Sequence, residues 1–134
     1  MQKKLLFLCT GNSCRSQMAE GLANIKLNDK FQIYSAGIEA HGLNQRAVEA
    51  MDEIGIDISH QKSKSISNDE LSRYDLIITL CSDARGRCPI LSNKNNNIHW
   101  GLEDPANAKG TEIERMNVYR KVRDQISNNT NSLL

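Results

Sequence analysis

The alternation of short apolar runs with segments of helical periodicity limits the fold of this chain more than any other feature. Four apolar runs have the length of strands, at residues 4–8, 31–34, 76–80 and, more weakly, 98–100. Between the first two, Met18, Leu22 and Ile25 recur at the spacing that places residues on one face of a helix, and we expect that face to be buried in the core. Such alternation predicts an α/β fold, with a parallel sheet covered by helices on both faces and ligands at the carboxyl ends of the strands.

Two capping boxes predict where later helices begin. Ser67 with Glu70, and Thr111 with Glu114, each combine a hydroxyl residue with a glutamate three positions on. The last helix should bury three residues at helical spacing, namely Tyr119, Val122 and Ile126. Residues 127–134 are mostly polar, and we expect them to form a frayed end.

Length and composition indicate one domain spanning residues 1–134. The chain has 134 residues, of which 39% are hydrophobic, enough for a single core. A net charge of +1 gives no reason to expect nucleic acid as a partner. No apolar stretch approaches the roughly 20 residues that span a bilayer, and the first apolar run is too short for a signal peptide. We therefore expect a cytoplasmic protein with no membrane association, in which four cysteines are catalytic, redox-active or metal-binding rather than structural disulfides.

The turn after the first strand has the composition of an anion site. Cys9 ends the predicted strand, Arg15 begins the predicted helix, and between them lie small and polar residues that tolerate unusual backbone angles. Successive N–H groups pointing inward, together with a helix N-terminus, bind an anion, and a guanidinium adds a bidentate clamp. The predicted oxyanion-binding residues are Thr10, Gly11, Asn12, Ser13, Cys14, Arg15 and Ser16.

A cysteine at the start of such a turn is a candidate nucleophile. The field that binds an anion also favours the thiolate form of Cys9, and the Ser16 hydroxyl is placed to hydrogen-bond its sulfur. We expect Cys14 to point toward the core as a buried thiol. The turn would then hold a tetrahedral oxyanion against a nucleophilic sulfur.

Two further cysteines, Cys81 and Cys88, bracket a polar segment after the third strand. A zinc site built from C-x4-C and C-x6-C pairs is disfavoured, because these spacings are looser than those of structural zinc and a metal would destroy the anion turn. Inert core thiols are the other alternative. Since Arg85 and Arg87 favour thiolates, we prefer a redox role.

The string "CTGNSCRS" resembles the C-x5-R-S signature of the low-molecular-weight protein tyrosine phosphatases. That family also carries an Asp-Pro on a late loop as general acid, which Asp104 and Pro105 match. The resemblance covers essentially the whole chain and implies a single-domain three-layer sandwich, a four-stranded parallel sheet flanked by helices. Two departures are that Gln17 replaces the usual proline, and that Ala106 and the asparagine after it replace the tyrosines lining a phenyl pocket.

With "CRSQMAEG", "YSAGIE", "TLCSD", "HWG" and the extra cysteine pair, the chain is more specifically similar to the thioredoxin-coupled arsenate reductases. This resemblance implies that Cys9 attacks arsenate held by the turn and by Arg15, while Asp104 protonates the departing oxygen. Cys81 would then attack Cys9, releasing arsenite and leaving a Cys9–Cys81 disulfide. Cys88 would move the disulfide to Cys81–Cys88, for reduction by thioredoxin.

The mechanism that this resemblance implies needs no bound cofactor. We expect a monomer that retains weak phosphatase activity on phosphate-like oxyanions. Some family members bind potassium at positions matching Asn12, Glu20, Ser35 and an aspartate. Here Lys64 stands at the aspartate position, so that its ammonium can replace the cation, and we expect no metal requirement.

Three functions remain open from the sequence. The chain could be an arsenate reductase, a phosphatase whose extra cysteines protect or switch Cys9, or a non-enzymatic oxyanion or redox sensor.

The segment between Cys81 and Cys88 is predicted to change shape in the reductase. Ser82 and Asp83 predict a short helix over Asp83–Arg87, and this helix must open before the Cys81–Cys88 disulfide forms.

Overall fold

The computed structural model describes residues 2–81 and 96–134. The predicted helix Asp83–Arg87 and Cys88 lie outside the described residues. The strands are β1 (Lys3–Cys9), β2 (Phe31–Gly37), β3 (Leu76–Cys81) and β4 (Asn96–Leu102). The helices are α1 (Arg15–Lys26), α2 (Gln45–Asp52), α3 (Asn68–Leu71) and α4 (Glu112–Asn131), with a 3₁₀ turn at Pro105–Asn107.

The described strands form one four-stranded parallel sheet in the order β2-β1-β3-β4. Leu5 of β1 pairs with Ile33 of β2 on one side and with Leu76 of β3 on the other. All four predicted strands are present, and each is longer than its apolar run. The sheet therefore confirms the predicted α/β class and its parallel topology.

Side chains alternate between two apolar layers along β1. Leu5 and Phe7 point into the larger cluster, which packs against α1, α2 and α4, whereas Leu6 and Leu8 point into a smaller cluster with Leu71 of α3. The predicted stripe of α4 is buried in the larger cluster. The result is the expected three-layer arrangement, with the carboxyl ends of all strands at one edge.

Two local predictions are wrong. Ile25 is 61% exposed, because Leu27 at the C-terminal end of α1 fills the core there instead. Residues 127–134 do not fray from their start, since α4 continues to Asn131 and Thr130 is fully buried. Both capping boxes are present and open α3 and α4 as predicted. No helix among the described residues has the length and apolar character needed to cross a membrane.

Candidate active site

The anion turn lies between the end of β1 at Cys9 and the start of α1 at Arg15. At its centre Asn12 adopts a left-handed backbone conformation, with φ of 47°. Asparagine tolerates this conformation better than most residues, since its short polar side chain can hydrogen-bond locally. The turn can therefore reverse direction without a second glycine beside Gly11.

The segment after β2 fixes the orientation of the peptide groups in the turn. Backbone N–H groups of this segment donate to the outward carbonyls of the turn: Ile38 to Cys9 at 3.2 Å, Glu39 to Thr10 at 3.0 Å, His41 to Gly11 at 2.9 Å and Asn44 to Ser13 at 3.1 Å. The N–H groups of residues 11–15 have no acceptor within the described residues. Inward N–H groups without acceptors form the nest that a tetrahedral oxyanion requires.

The Arg15 side chain reaches the ends of two other strands. Its Nη1 donates to the carbonyl of Leu102 at 3.0 Å and lies 3.5 Å from that of Leu80, and the residue is only 6% exposed. Its Nη2 lies 3.6 Å from Oδ2 of Asp104. The guanidinium is thus held at the carboxyl edge of the sheet and brings Asp104 to the turn.

Asp104 immediately precedes the 3₁₀ turn Pro105–Asn107. Its Oδ1 accepts a hydrogen bond from the N–H of Ala106 at 3.0 Å, which fixes the carboxyl group beside Arg15. The side chain is 35% exposed, so that it can exchange protons with solvent. This position is suited to a general acid at the mouth of the turn.

A buried chain of polar side chains ends at the Cys9 sulfur. Asn12 Nδ2 donates to Ser16 Oγ at 2.8 Å and to Ser35 Oγ at 3.0 Å, and Ser35 Oγ donates to Glu20 Oε1 at 2.5 Å. Ser16 Oγ lies 2.9 Å from Cys9 Sγ. Because Ser16 Oγ already accepts from Asn12, its single hydrogen is available for donation to the sulfur.

Cys14 is a different kind of thiol. Burial, with the Asp104 carboxylate nearby, raises the pKa of the Cys14 thiol to about 12, against an ordinary value of 9.0. Burial also raises the pKa of Tyr119, its neighbour, to about 12. Cys14 therefore remains a neutral thiol in the core near neutral pH, whereas Cys9 lies on the nest.

Cys81 ends β3 beside the anion turn. Leu8 of β1 pairs with Thr79 of β3, so Cys81 lies one position beyond the level of Cys9 on a strand about 4.8 Å away. Cys81 is disulfide-bonded, whereas Cys9 and Cys14 are free thiols. The predicted partner of Cys81, Cys88, lies outside the described residues.

Lys64 takes part in the same polar region. Its backbone N–H donates to Asn12 Oδ1 at 2.8 Å, and its Nζ lies 4.0 Å from Glu20 Oε1. The ammonium therefore neighbours the carboxylate that the resemblance assigns to a cation site, and independence from potassium remains a prediction. Among the described residues, no group of three or more histidines, cysteines and carboxylates is arranged to hold a metal ion.

Sequence reasoning missed the residues that support the turn from outside. The carbonyls are held by backbone groups after β2, which carry no side-chain signal. In the sequence Gln17 stands out only as a departure from a proline, yet its amide contacts both the turn and Gln61. A polar residue on the buried face of a predicted helix is the one signal that could have drawn attention to it.

The whole chain has recognisable relatives. Residues 4–134 match the family described as low molecular weight phosphotyrosine protein phosphatase. Arsenate reductase of Bacillus subtilis strain 168 is 55% identical over 129 residues, covering 96% of this chain and 93% of that protein. Arsenate reductase 1 of Staphylococcus epidermidis strain ATCC 35984 is 53% identical over 127 residues, covering 94% and 92% respectively.

Solved structures agree with this assignment of the fold. An arsenate reductase in the phosphate-binding state superposes with a TM-score of 0.83 at 35% identity, covering 98% of this chain and 96% of that one. A low molecular weight protein tyrosine phosphatase from T. tengcongensis gives a TM-score of 0.76 at 29% identity, with 98% and 97% covered. The fold is thus shared by reductases and phosphatases.

Proposed function

This chain belongs to the low molecular weight phosphotyrosine protein phosphatase family, and from that premise we propose that it reduces arsenate to arsenite by a thiol–disulfide relay. Relatives more than half identical over nearly the whole chain are named arsenate reductases, which supports this substrate. Arsenate has the shape and charge of phosphate, so the nest of a phosphatase turn accommodates it. Arsenic(V), unlike phosphorus(V), is readily reduced by thiols.

In the first step the Cys9 thiolate attacks arsenic in an arsenate held by the inward N–H groups and by Arg15. A sulfur–arsenic bond forms and an arsenic–oxygen bond breaks. Asp104 gives its proton to the departing oxygen, which leaves as water. The nest stabilises the negative charge on the remaining oxygens throughout.

In the second step the Cys81 thiolate attacks Cys9 Sγ. The sulfur–arsenic electron pair passes to arsenic, arsenite leaves, and a Cys9–Cys81 disulfide remains. Cys88 then attacks Cys81, which frees the Cys9 thiolate and leaves a Cys81–Cys88 disulfide. A dithiol reductant of the thioredoxin class reduces that bond, and no bound cofactor is needed.

The observation that carries this proposal is the position and state of Cys81. It ends the strand next to β1 and is disulfide-bonded, while Cys9 is a free thiol on the nest. This is the state expected once the disulfide has left Cys9. A phosphatase that uses Cys9 alone gives no reason for an oxidised cysteine at this strand end.

The relay requires movement at the end of β3. Ile78 and Leu80 point into the larger apolar cluster with Cys9, whereas Ile77 points into the smaller one on the opposite face. Side chains alternate along a strand, so Cys81 shares the face of Ile77. The end of β3 must therefore rearrange to bring the two sulfurs together.

A coupled assay tests the proposal. Arsenate, thioredoxin, thioredoxin reductase and the reduced chain should consume NADPH and release arsenite, and Cys9→Ser should abolish both. Cys81→Ser should stop arsenite release while leaving slow hydrolysis of an aryl phosphate, which needs only Cys9, Arg15 and Asp104. Loss of both activities in Cys81→Ser would contradict the relay and make Cys81 structural.

The alternatives predict different results in the same assay. A phosphatase would hydrolyse the aryl phosphate at a rate comparable with any arsenate reduction. A sensor would be oxidised once, in stoichiometric amount, without recycling. We expect the reductase to act as a cytoplasmic monomer with only weak phosphatase activity, since no aromatic side chain stands at Ala106 to line a phenyl pocket.

A further inference from the structure

Gln17 is a buried polar residue that the proposed chemistry does not use. It lies in the first turn of α1 and is fully buried. Its Nε2 is within hydrogen-bond distance of the Asn12 carbonyl at 3.0 Å, of Asn12 Oδ1 at 3.1 Å and of the Lys62 carbonyl at 3.0 Å. Its Oε1 accepts from Gln61 Nε2 at 2.9 Å. A buried amide this fully bonded is costly to replace with an apolar group.

The contacts of Gln17 determine which way the Asn12 amide faces. Asn12 Oδ1 faces the donors of Gln17 and of the Lys64 backbone, so Asn12 Nδ2 faces Ser16 and Ser35. If the Asn12 amide rotated by half a turn, its oxygen would face Ser16. The Ser16 hydroxyl would then donate to Asn12 and be lost to the Cys9 sulfur.

We propose that Gln17 is a positioning residue for the nucleophile: it holds the Asn12 amide so that Ser16 donates to Cys9. The proposal rests on the proposed function only in taking Cys9 as the reacting group. Gln17 also ties the turn to residues 61–64 through Lys62 and Gln61. A proline at this position, as in the phosphatases that the sequence resembles, has no donor and cannot make these contacts.

The test compares Gln17→Met with Gln61→Met. Both replace a glutamine of the same cluster by an apolar side chain of similar length, but only Gln17 contacts Asn12. Iodoacetamide alkylation of Cys9 in the reduced chain is followed by peptide mapping across pH, with and without inorganic phosphate. We expect Gln17→Met to move the pH profile upward and slow alkylation about tenfold at pH 7, as for one lost hydrogen bond to a charged group. Gln61→Met should remain within about twofold of the unmodified chain.

A second pair of variants tests whether Gln17 acts through Asn12. In an Asn12→Ala background, Gln17→Met should change the alkylation rate by less than about twofold, because the contact it supports is already gone. An equal effect in both backgrounds would overturn the proposal, as would an unshifted pH profile in Gln17→Met. If Gln61→Met slowed alkylation of Cys9 as much as Gln17→Met, the proposal would also be overturned, because packing of residues 61–64 and not the contact with Asn12 would then control the rate.

The unmodified chain provides a measurement that does not depend on a variant folding. The side-chain amide protons of Gln17 should exchange at least about tenfold more slowly than those of the exposed Gln32, since a hydrogen-bonded buried amide opens rarely. Equal exchange would contradict the contacts on which the proposal stands. Failure of phosphate to protect Cys9 in the unmodified chain would instead count against the proposed function, whatever Gln17 does.

Discussion

At the scale of a residue, one hydroxyl hydrogen connects the anion turn to its nucleophile. Ser16 Oγ accepts from Asn12 Nδ2 and lies 2.9 Å from Cys9 Sγ, so it has one hydrogen and one place to donate it. The side chain is fully buried, and no solvent molecule can readily take over that role. The hydroxyl is therefore placed to donate to Cys9 when its sulfur acts as a thiolate nucleophile.

Replacing Ser16 with alanine should slow alkylation of Cys9 at pH 7 by about 10- to 100-fold, the usual range for a hydrogen bond to a charged group. The pH profile of alkylation is the measurement, because a purely structural effect would not displace it. Ser72→Ala, which removes an exposed hydroxyl at the C-terminal end of α3, is the matched control. Unchanged alkylation in Ser16→Ala would mean that the N–H groups of the turn stabilise the thiolate alone.

The residues around this hydroxyl differ in how far the sequence reveals them. The turn and the pairing of Ser16 with Cys9 follow from spacing, since residues that close an anion nest must be near in sequence. The roles of Gln17 and Gln61 do not, because their contacts join segments 44 residues apart. Spacing along a chain carries information about local geometry, and side-chain contacts between distant segments depend on how the whole core packs.

At the scale of an element, helix starts were predictable and one helix end was not. The capping boxes of α3 and α4 are local patterns, so the sequence reveals them directly. The end of α4 is different, because side chains of a distant segment hold it. Lys26 Nζ at the end of α1 donates to the Ser127 carbonyl at 2.9 Å and to Asn131 Oδ1 at 3.0 Å. The polar composition of residues 127–134 therefore wrongly predicted a frayed end.

Lys26→Met should therefore lower the free energy of unfolding by about 1.5–3 kcal/mol, the net value of one hydrogen bond to a charged group. Amide exchange should rise in residues 127–133 and stay unchanged in β1. Urea unfolding gives the first quantity, and exchange followed by mass spectrometry gives the second. Lys109→Met, at an exposed lysine outside the helices, serves as control. Equal midpoints for Lys26→Met and the unmodified chain would contradict this role.

The contact between α2 and α4 should make stability depend on pH in acid. Hydrogen bonds from Arg120, and then from Arg123, lower the pKa of Glu53 from an ordinary value of 4.5 to about 2. A depressed carboxyl pKa adds stability that is present above pH 4.5 and is lost as the pH falls toward about 2.

The thermal midpoint of Glu53→Gln should thus be lower than that of the unmodified chain near neutral pH, and the gap should close between pH 4.5 and 2. High salt should narrow the gap at every pH, since Glu53 is 37% exposed. Glu49→Gln, at an exposed position of α2, is the control for the loss of one negative charge. If the difference in thermal midpoint between Glu53→Gln and the unmodified chain persisted at pH 2, the stabilisation would not come from ionisation of Glu53.

At the scale of the whole molecule, the parallel sheet brings the chemistry together. Cys9, Cys81 and Leu102 end neighbouring strands, so their carboxyl ends meet at one edge, where Arg15 bridges β3 and β4. The alternation of strands and helices along the sequence predicts this edge. At the other edge of the sheet, β2 contributes packing, and the segment that follows it supports the turn.

The structural changes that accompany disulfide formation should therefore occur at the end of β3 and not in β2. Cys81 and Cys88 are seven positions apart, and a helix between them would set their Cα atoms about 10.5 Å apart. A disulfide tolerates only about 4.4–6.8 Å, so a helical segment must open before the bond forms. Amide exchange should differ between reduced and oxidised chain across residues 80–88 and stay equal in β2.

Gly86→Ala should stabilise the reduced form and slow disulfide transfer, since glycine disfavours helix by about 1 kcal/mol relative to alanine. Cys81→Ser, which can form neither disulfide of the relay, should show no such redox difference. Equal protection of residues 82–88 in the two states of the unmodified chain would rule out the opening.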